Sequence, residues 1–219
     1  MKPKDFKYPF SWEERKPALS DGVLFVPKFF DRHKEWKFNF FTDDKPVFIE
    51  YCSGNGAWII EKAIAHPEIN WIAVEMRFDR VRKIWSKGKN NGLTNLLVVA
   101  GEALTFTRNY VAPQSIAGIY VNFPDPWPKD RHAKHRLISP AFAEELARII
   151  LPGGTATYAT DDPPYSETMV QTMKDHPAWI PAYATPHYIT EWPSYGDSYF
   201  NNLWVEKGRT IRYIQFAKR

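Results

Sequence analysis

The chain has 219 residues, a formal net charge of +4 and a single cysteine, Cys52. That length suits one domain with a full core better than two, and the mild positive charge permits nucleic acid without demanding it. A lone thiol excludes an intramolecular disulfide, and no Cys/His spacing suggests zinc or another metal.

No apolar run approaches the ~20 residues of a membrane-spanning helix. The N-terminal region, with Lys2, Lys4, Asp5 and Lys7 among proline and aromatics, lacks the apolar core of a signal peptide, so a soluble, cytoplasmic protein is expected. Residues 1–45 are rich in proline, phenylalanine and charge but show no sustained period. They are expected to form an arm packed over the domain that follows, 46–219, with one short helix at most. Phe38, Phe40 and Val47 are expected to cover core.

From residue 46 the pattern becomes regular. Residues 47–51 form a short apolar strand, 52–56 a glycine turn, and 57–65 repeat apolar residues at helical spacing until His66 and Pro67. A second strand over 71–74 ends on Glu75, and a helix over 77–87 is expected to close at Gly88. A third strand, 96–100, ends near Glu102, and a fourth spans 115–123. Ser139 and Pro140 open a helix with Phe142, Leu146 and Ile149 on one face, which Pro152, Gly153 and Gly154 are expected to end. Residues 155–160 and 210–216 read as strands. Alternating strands and helices predict an α/β fold, a doubly wound and mostly parallel sheet with helices on both faces.

In such sheets ligands sit beyond the carboxyl ends of the strands. Glu50, Glu75, Glu102 and Asp125 fall there. Gly54 and Gly56 let backbone approach a ligand closely, Glu75 stands where a ribose diol would be held, and Glu102 could accept from an adenine amino group. A dehydrogenase would want a third glycine, but Ala57, Trp58 and Ile59 follow Gly56. Glu50 would also repel a pyrophosphate, whereas it suits the cationic end of S-adenosylmethionine.

After the fourth strand, Pro124, Pro126 and Pro128 make a stiff elbow around Asp125 and Trp127. Lys129, Arg131, Lys134 and Arg136 follow, with His132 and His135 between them, a cationic strip suited to a polyanion. Trp192, Tyr195, Tyr199 and Trp204 could stack on bases, although core packing is their more ordinary use.

The elbow residues 122–129 with Arg131, His132 and Arg136, the turn after Glu50, and Thr160 and Asp161 followed by Tyr165 resemble the bacterial tRNA (guanine-N7)-methyltransferase family. The resemblance implies a class I (Rossmann-like) methyltransferase fold, S-adenosylmethionine as donor, and methylation of guanine 46 in the tRNA variable loop. It implies cofactor contacts for Glu50, Glu75, Glu102 and Asp125 and a catalytic role for Asp125. Substrate contacts are implied for Lys129, Arg131, His132, Lys134, Arg136 and Asp161. The family's later Thr-x-Phe-Glu motif is present as Ser198, Tyr199, Phe200 and Asn201, which extends the substrate set to Ser198 and Asn201. Cys52 stands where the family has glycine, Glu102 where it has aspartate, and Asn201 where it has glutamate. Asp162, Pro163 and Pro164 are expected to stiffen the loop after Asp161.

Guanine N7 carries a free lone pair and loses no proton, so its methylation needs alignment more than a base. Asp125 could accept from guanine N1–H and N2–H or hold the cofactor's amine. A small-molecule methyltransferase would keep the acids but have no use for the cationic strip. A non-catalytic RNA-binding module would keep the strip but have no use for the acids. No feature decides between a monomer and a homodimer.

Overall fold

A strand whose every residue is buried needs neighbours at both edges and cover on both faces, and Asn70–Glu75 is such a strand. The computed structural model describes residues 1–7, 16–27, 40–127, 131, 135–196 and 198–219. These fall into two compact units, Met1–Ala112 and Pro113–Arg219.

The first unit contains β1 (Ala18–Ser20), β2 (Val23–Phe25), β3 (Val47–Tyr51), α1 (Ala57–Ala65), β4 (Asn70–Glu75), α2 (Phe78–Asn90), β5 (Leu96–Ala100) and α3 (Ala103–Tyr110). Its strand order is β1-β2-β5-β4-β3, parallel throughout except for β1. Ile49 lies opposite Ile72, and Ile72 opposite Leu97, so the β-branched runs stack into one core. Ile59, Ile84 and Phe106 are fully buried on the helices of the same unit.

Several expectations change here. The arm supplies strands: Asp21 and Gly22 both have positive φ, the geometry of a two-residue hairpin turn, and β2 pairs with β5. Before the hairpin, Phe6 is buried with its ring 5.2 Å from Trp85, and Arg82 Nη2 donates to its carbonyl at 3.1 Å. Phe40 reaches the core, 5.7 Å from Phe106; Val47 is half-buried, and Phe38 lies outside the described residues. Gly88 does not close α2. It is buried within the helix, where a Cβ would come 3.2 Å from Leu96 Cδ2, and Gly92, at φ 64°, makes the left-handed turn instead. Helix α3 was not foreseen.

The second unit contains β6 (Ile116–Asn122), α4 (Pro140–Ile149), β7 (Ile150–Thr160), α5 (Pro163–Lys174), β8 (Trp179–Pro181), α6 (Tyr199–Glu206) and β9 (Arg212–Lys218). The order is β6-β7-β9-β8, with β6 and β7 parallel and β9 antiparallel to both its neighbours. Ser139 caps α4 and the expected apolar face is buried. Pro152, Gly153 and Gly154 lie inside β7. The register jumps there from Ile116 opposite Ile150 to Gly118 opposite Thr155, and a Cβ on Gly154 would meet the Ala117 carbonyl at 2.6 Å. Pro163 and Pro164 open α5 rather than stiffening a loop, and Asp162 caps it by accepting from Tyr165 N at 2.8 Å. Among the described residues no helix is long and apolar enough to cross a membrane, and no group of His, Cys, Asp and Glu could hold a metal.

Gly101 seats the hairpin against the rim of β5: Val26 N donates to the Ala100 carbonyl at 2.9 Å, and a Cβ on Gly101 would lie 2.6 Å from Val26 Cβ. Gly101→Ala should therefore cost about 1–3 kcal/mol, as overpacking does. Urea unfolding checks this, and an unchanged midpoint would show that the hairpin gives way freely.

Candidate active site

Beyond Tyr51 the chain reverses tightly, with Cys52, Gly54 and Gly56 at φ 61°, 56° and 76°. Only glycine takes that region without steric cost, so Cys52 carries strain where the resembling family has glycine. The turn is held from several sides. Ser53 N donates to the Val74 carbonyl at 3.2 Å and Ser53 Oγ to the Glu50 carbonyl at 3.0 Å. Lys87 Nζ donates to the Asn55 carbonyl at 2.9 Å, and Gly56 packs so closely on α2 that a Cβ would lie 2.8 Å from Ile84 Cγ1.

Glu75 is the main brace. Its Oε2 accepts from Gly54 N at 2.9 Å, its Oε1 from Arg77 N at 2.8 Å, and Arg80 stands 3.8 Å away. Burial raises its pKa from the ordinary 4.5, and the Arg77 amide, Arg80 and the Gly54 amide only partly offset this. The structure thus brings together two predicted residues 21 positions apart. A carboxylate has about four acceptor directions, so these contacts leave room for a diol. Glu50 is buried at 1 % exposure, at the end of β3. Two buried carboxylates around a glycine turn fit a cationic nucleoside such as S-adenosylmethionine and disfavour a pyrophosphate.

Glu102 stands directly after β5, as expected, and at the start of α3. Its carboxylate caps α3, accepting from Leu104 N at 2.8 Å and from Thr105 N and Oγ1, each at 2.6 Å. It fixes the loop after β5 through its own helix.

In the second unit β6 runs into the elbow. Asn122 is buried and accepts from the Tyr195 hydroxyl, Phe123 takes φ 49°, and Phe123 N donates to the Ala159 carbonyl at 2.9 Å. Asp125 is exposed, and its Oδ1 accepts from Trp127 N at 3.0 Å, a local turn that fixes its rotamer. Arg136 was expected to contact RNA. Its Nε donates to the Pro126 carbonyl at 2.8 Å, its Nη2 to the Trp127 carbonyl at 3.4 Å, and its guanidinium lies 5.4 Å from the Tyr165 ring. It locks the elbow. Arg131 is exposed, while Lys129, His132 and Lys134 lie outside the described residues.

Asp161 pairs with Arg209. Ser198 caps α6, accepting from Asn201 N at 3.0 Å, and Asn201 Oδ1 accepts from the Tyr213 hydroxyl at 3.1 Å. Tyr195 packs 4.7 Å from Tyr213 and 5.2 Å from Trp192, so those aromatics serve the core, whereas Tyr199 is exposed. Lys87, Arg80 and Arg209 went unnoticed in the sequence; Lys87 and Arg209 act through contacts distant along the chain, and Arg80 through a turn from the strand end to the helix that the pattern does not specify. A groove of about 750 Å³ between α4 and α5, lined by Glu144, Glu167, Asp175 and His176, contains none of the expected residues.

This fold, with an acid-braced glycine turn, is that of a class I methyltransferase. Solved structures agree: TrmN from Thermus thermophilus matches at TM-score 0.58 and 16 % identity, covering 81 % of this chain and 46 % of that one. The 16S rRNA methyltransferase KamB matches at 0.59 and 15 %, covering 80 % and 88 %. A family model described as "Putative methyltransferase" matches residues 44–212. The chain belongs to the tRNA (guanine-N7)-methyltransferase family. It is 46 % identical to the protein of that name from Chlamydia muridarum, over 100 % of this chain and 99 % of the relative. It is 30 % identical to the one from Rubrobacter xylanophilus, over 94 % and 84 %.

Two outcomes follow from these contacts. A carboxyl whose folded pKa is raised contributes stability below its unfolded value of 4.5 that is lost as pH rises through the folded value. Glu75→Gln should flatten that decline in urea melts taken from pH 4 upward, and an identical pH profile would contradict the assigned burial cost. Arg136→Ala should destabilise the protein by about 1.5–3 kcal/mol, the range for hydrogen bonds from a charged group, and leave the salt dependence of tRNA binding unchanged. A salt slope lowered by about one with stability intact would make Arg136 a phosphate contact after all.

Proposed function

We propose that the protein transfers the methyl group of S-adenosylmethionine to N7 of guanine 46 in the tRNA variable loop. The observation that carries this reading is the elbow after β6, where Asp125 is exposed, fixed by the Trp127 amide and stiffened by Arg136. The full-length likeness to the Chlamydia muridarum tRNA (guanine-N(7)-)-methyltransferase supports a tRNA guanine as the acceptor.

When bound, S-adenosylmethionine supplies a methyl group activated by its sulfonium charge. Glu50 would face the cationic end of that donor, Glu75 would take the ribose diol, and Glu102 would bound the adenine end through the loop it caps. Gly54 and Gly56 let the backbone close on the ligand. N7 attacks with its lone pair, so no side chain need remove a proton and alignment carries the rate. Asp125 supplies that alignment, by accepting from guanine N1–H and N2–H or by holding the donor's amine. Arg131, with Lys129, His132 and Lys134, grips phosphates beside a base drawn out of its stack. Asp161, Ser198 and Asn201 contact the substrate. A cytoplasmic location fits a tRNA substrate.

The test is to incubate protein and donor with unmodified tRNA and map N7-methylguanine. The expected result is a single modified site at position 46, and methylation elsewhere or only of small acceptors would overturn the assignment. Asp125→Ala should slow turnover by about 10²–10³-fold, the scale of losing one catalytic contact, with tRNA binding largely intact. Near-normal turnover would remove Asp125 from the mechanism.

A further inference from the structure

Helix α6 contributes no buried residue, and Tyr199 and Val205 on it are more than half exposed. Its C-terminus ends in a definite geometry. Gly208 takes φ 72°, Gly208 N donates to the Val205 carbonyl at 2.9 Å, and Arg209 N donates to the Trp204 carbonyl at 2.9 Å. Those two bonds are the paired helix stop that folds the second residue past the cap back over the last turn, where an apolar contact normally completes it. Here the contact is ionic in character: the Arg209 guanidinium lies 4.2 Å from the Trp204 ring centre, and Lys207 Nζ lies 4.8 Å from the same ring. One indole thus orders two cations that remain exposed at the surface.

A helix stop that needed only stability would carry an aliphatic side chain at position 209. An arginine there, half exposed and also bonded to Asp161, is held in place at the edge of the proposed substrate loop. Ordering long cationic side chains in advance lowers the entropy lost when they grip an anion. We infer that Trp204, Lys207 and Arg209 form a phosphate-holding ledge for the RNA strand next to the target nucleotide, with the indole ordering the cations rather than stacking on a base. This rests on the tRNA reading above and extends its contact surface beyond the elbow.

The experiment measures binding of unmodified tRNA across a salt series for the wild type, Lys207→Ala, Trp204→Ala and Trp204→Phe, with S-adenosylmethionine binding by calorimetry as the check on folding. Lys207→Ala should lower the slope of log affinity against log salt by about 0.7–0.9, the release expected for one phosphate contact, and weaken binding several-fold near physiological salt. Trp204→Ala should lose more, Trp204→Phe should lose less because a ring remains, and donor binding should not change. Should Trp204→Ala fail to fold, Lys207→Ala decides alone, its side chain being at the surface. Unchanged slopes in variants that still bind the donor would overturn the ledge while wild-type methylation left the tRNA reading standing. An affinity loss in Trp204→Ala without a change of slope would mean that the indole stacks on a base, and would overturn it too. A wild-type protein that neither binds nor methylates tRNA would remove both.

Discussion

One buried carboxylate organises the first unit. Glu75 ends a strand with no exposed residue, and it joins the amide of Gly54, in the turn after β3, to the amide of Arg77, at the start of α2. Without an acceptor there, both amides would lose this partner, at a cost of about 1–3 kcal/mol each where they stay buried. Arg80 and Lys87 reinforce the same junction from α2, one toward the carboxylate and the other toward the Asn55 carbonyl. The turn is therefore fixed in shape before any ligand arrives, and fixed backbone is what lets a ligand's polar edge be read at small entropic cost. The expense is a carboxylate whose burial favours its neutral form, an effect the donors around it only partly offset.

The elbow of the second unit is built on the opposite plan, with an exposed acid and a half-buried base. Asp125 points outward on a frame of three successive constraints: the left-handed Phe123, the Asp125–Trp127 turn, and Arg136 across the Pro126 and Trp127 carbonyls. Stiffness has a direct use for a reaction at N7, where the nucleophile is ready and only distance and angle remain to be set. Cationic groups divide into those that hold the protein's own backbone, such as Arg136 and Lys87, and those left at the surface, such as Arg131 and Lys207.

Much of this was legible in the chain because it rests on local periodicity. The apolar runs at 47–51, 71–75, 96–100 and 116–122 are strands, Ser139 and Pro140 do open a helix, and Glu75 does stand at the glycine turn. The Asp21-Gly22 pair between two short apolar runs was a readable hairpin signal, obscured by the aromatic-rich arm around it. Gly88 and the Pro152 to Gly154 run misled for a shared reason. Glycine marks a close approach as readily as it marks an end, and both sites are defined by neighbours in other elements, Leu96 and Ala117. Arg136 and Glu102 carry the residue types of a binding site yet satisfy backbone groups of their own fold. Sequence gives the charge of a side chain but not whether a carbonyl or helix end already claims it.

The central claim is that the Glu75-braced turn is the seat of the methyl donor. Amide hydrogen exchange followed by mass spectrometry, with and without S-adenosylmethionine, measures this directly. The account predicts added protection concentrated in residues 50–57 and 75–80. Protection confined to other segments, or a turn that exchanges freely with the donor bound, would contradict it.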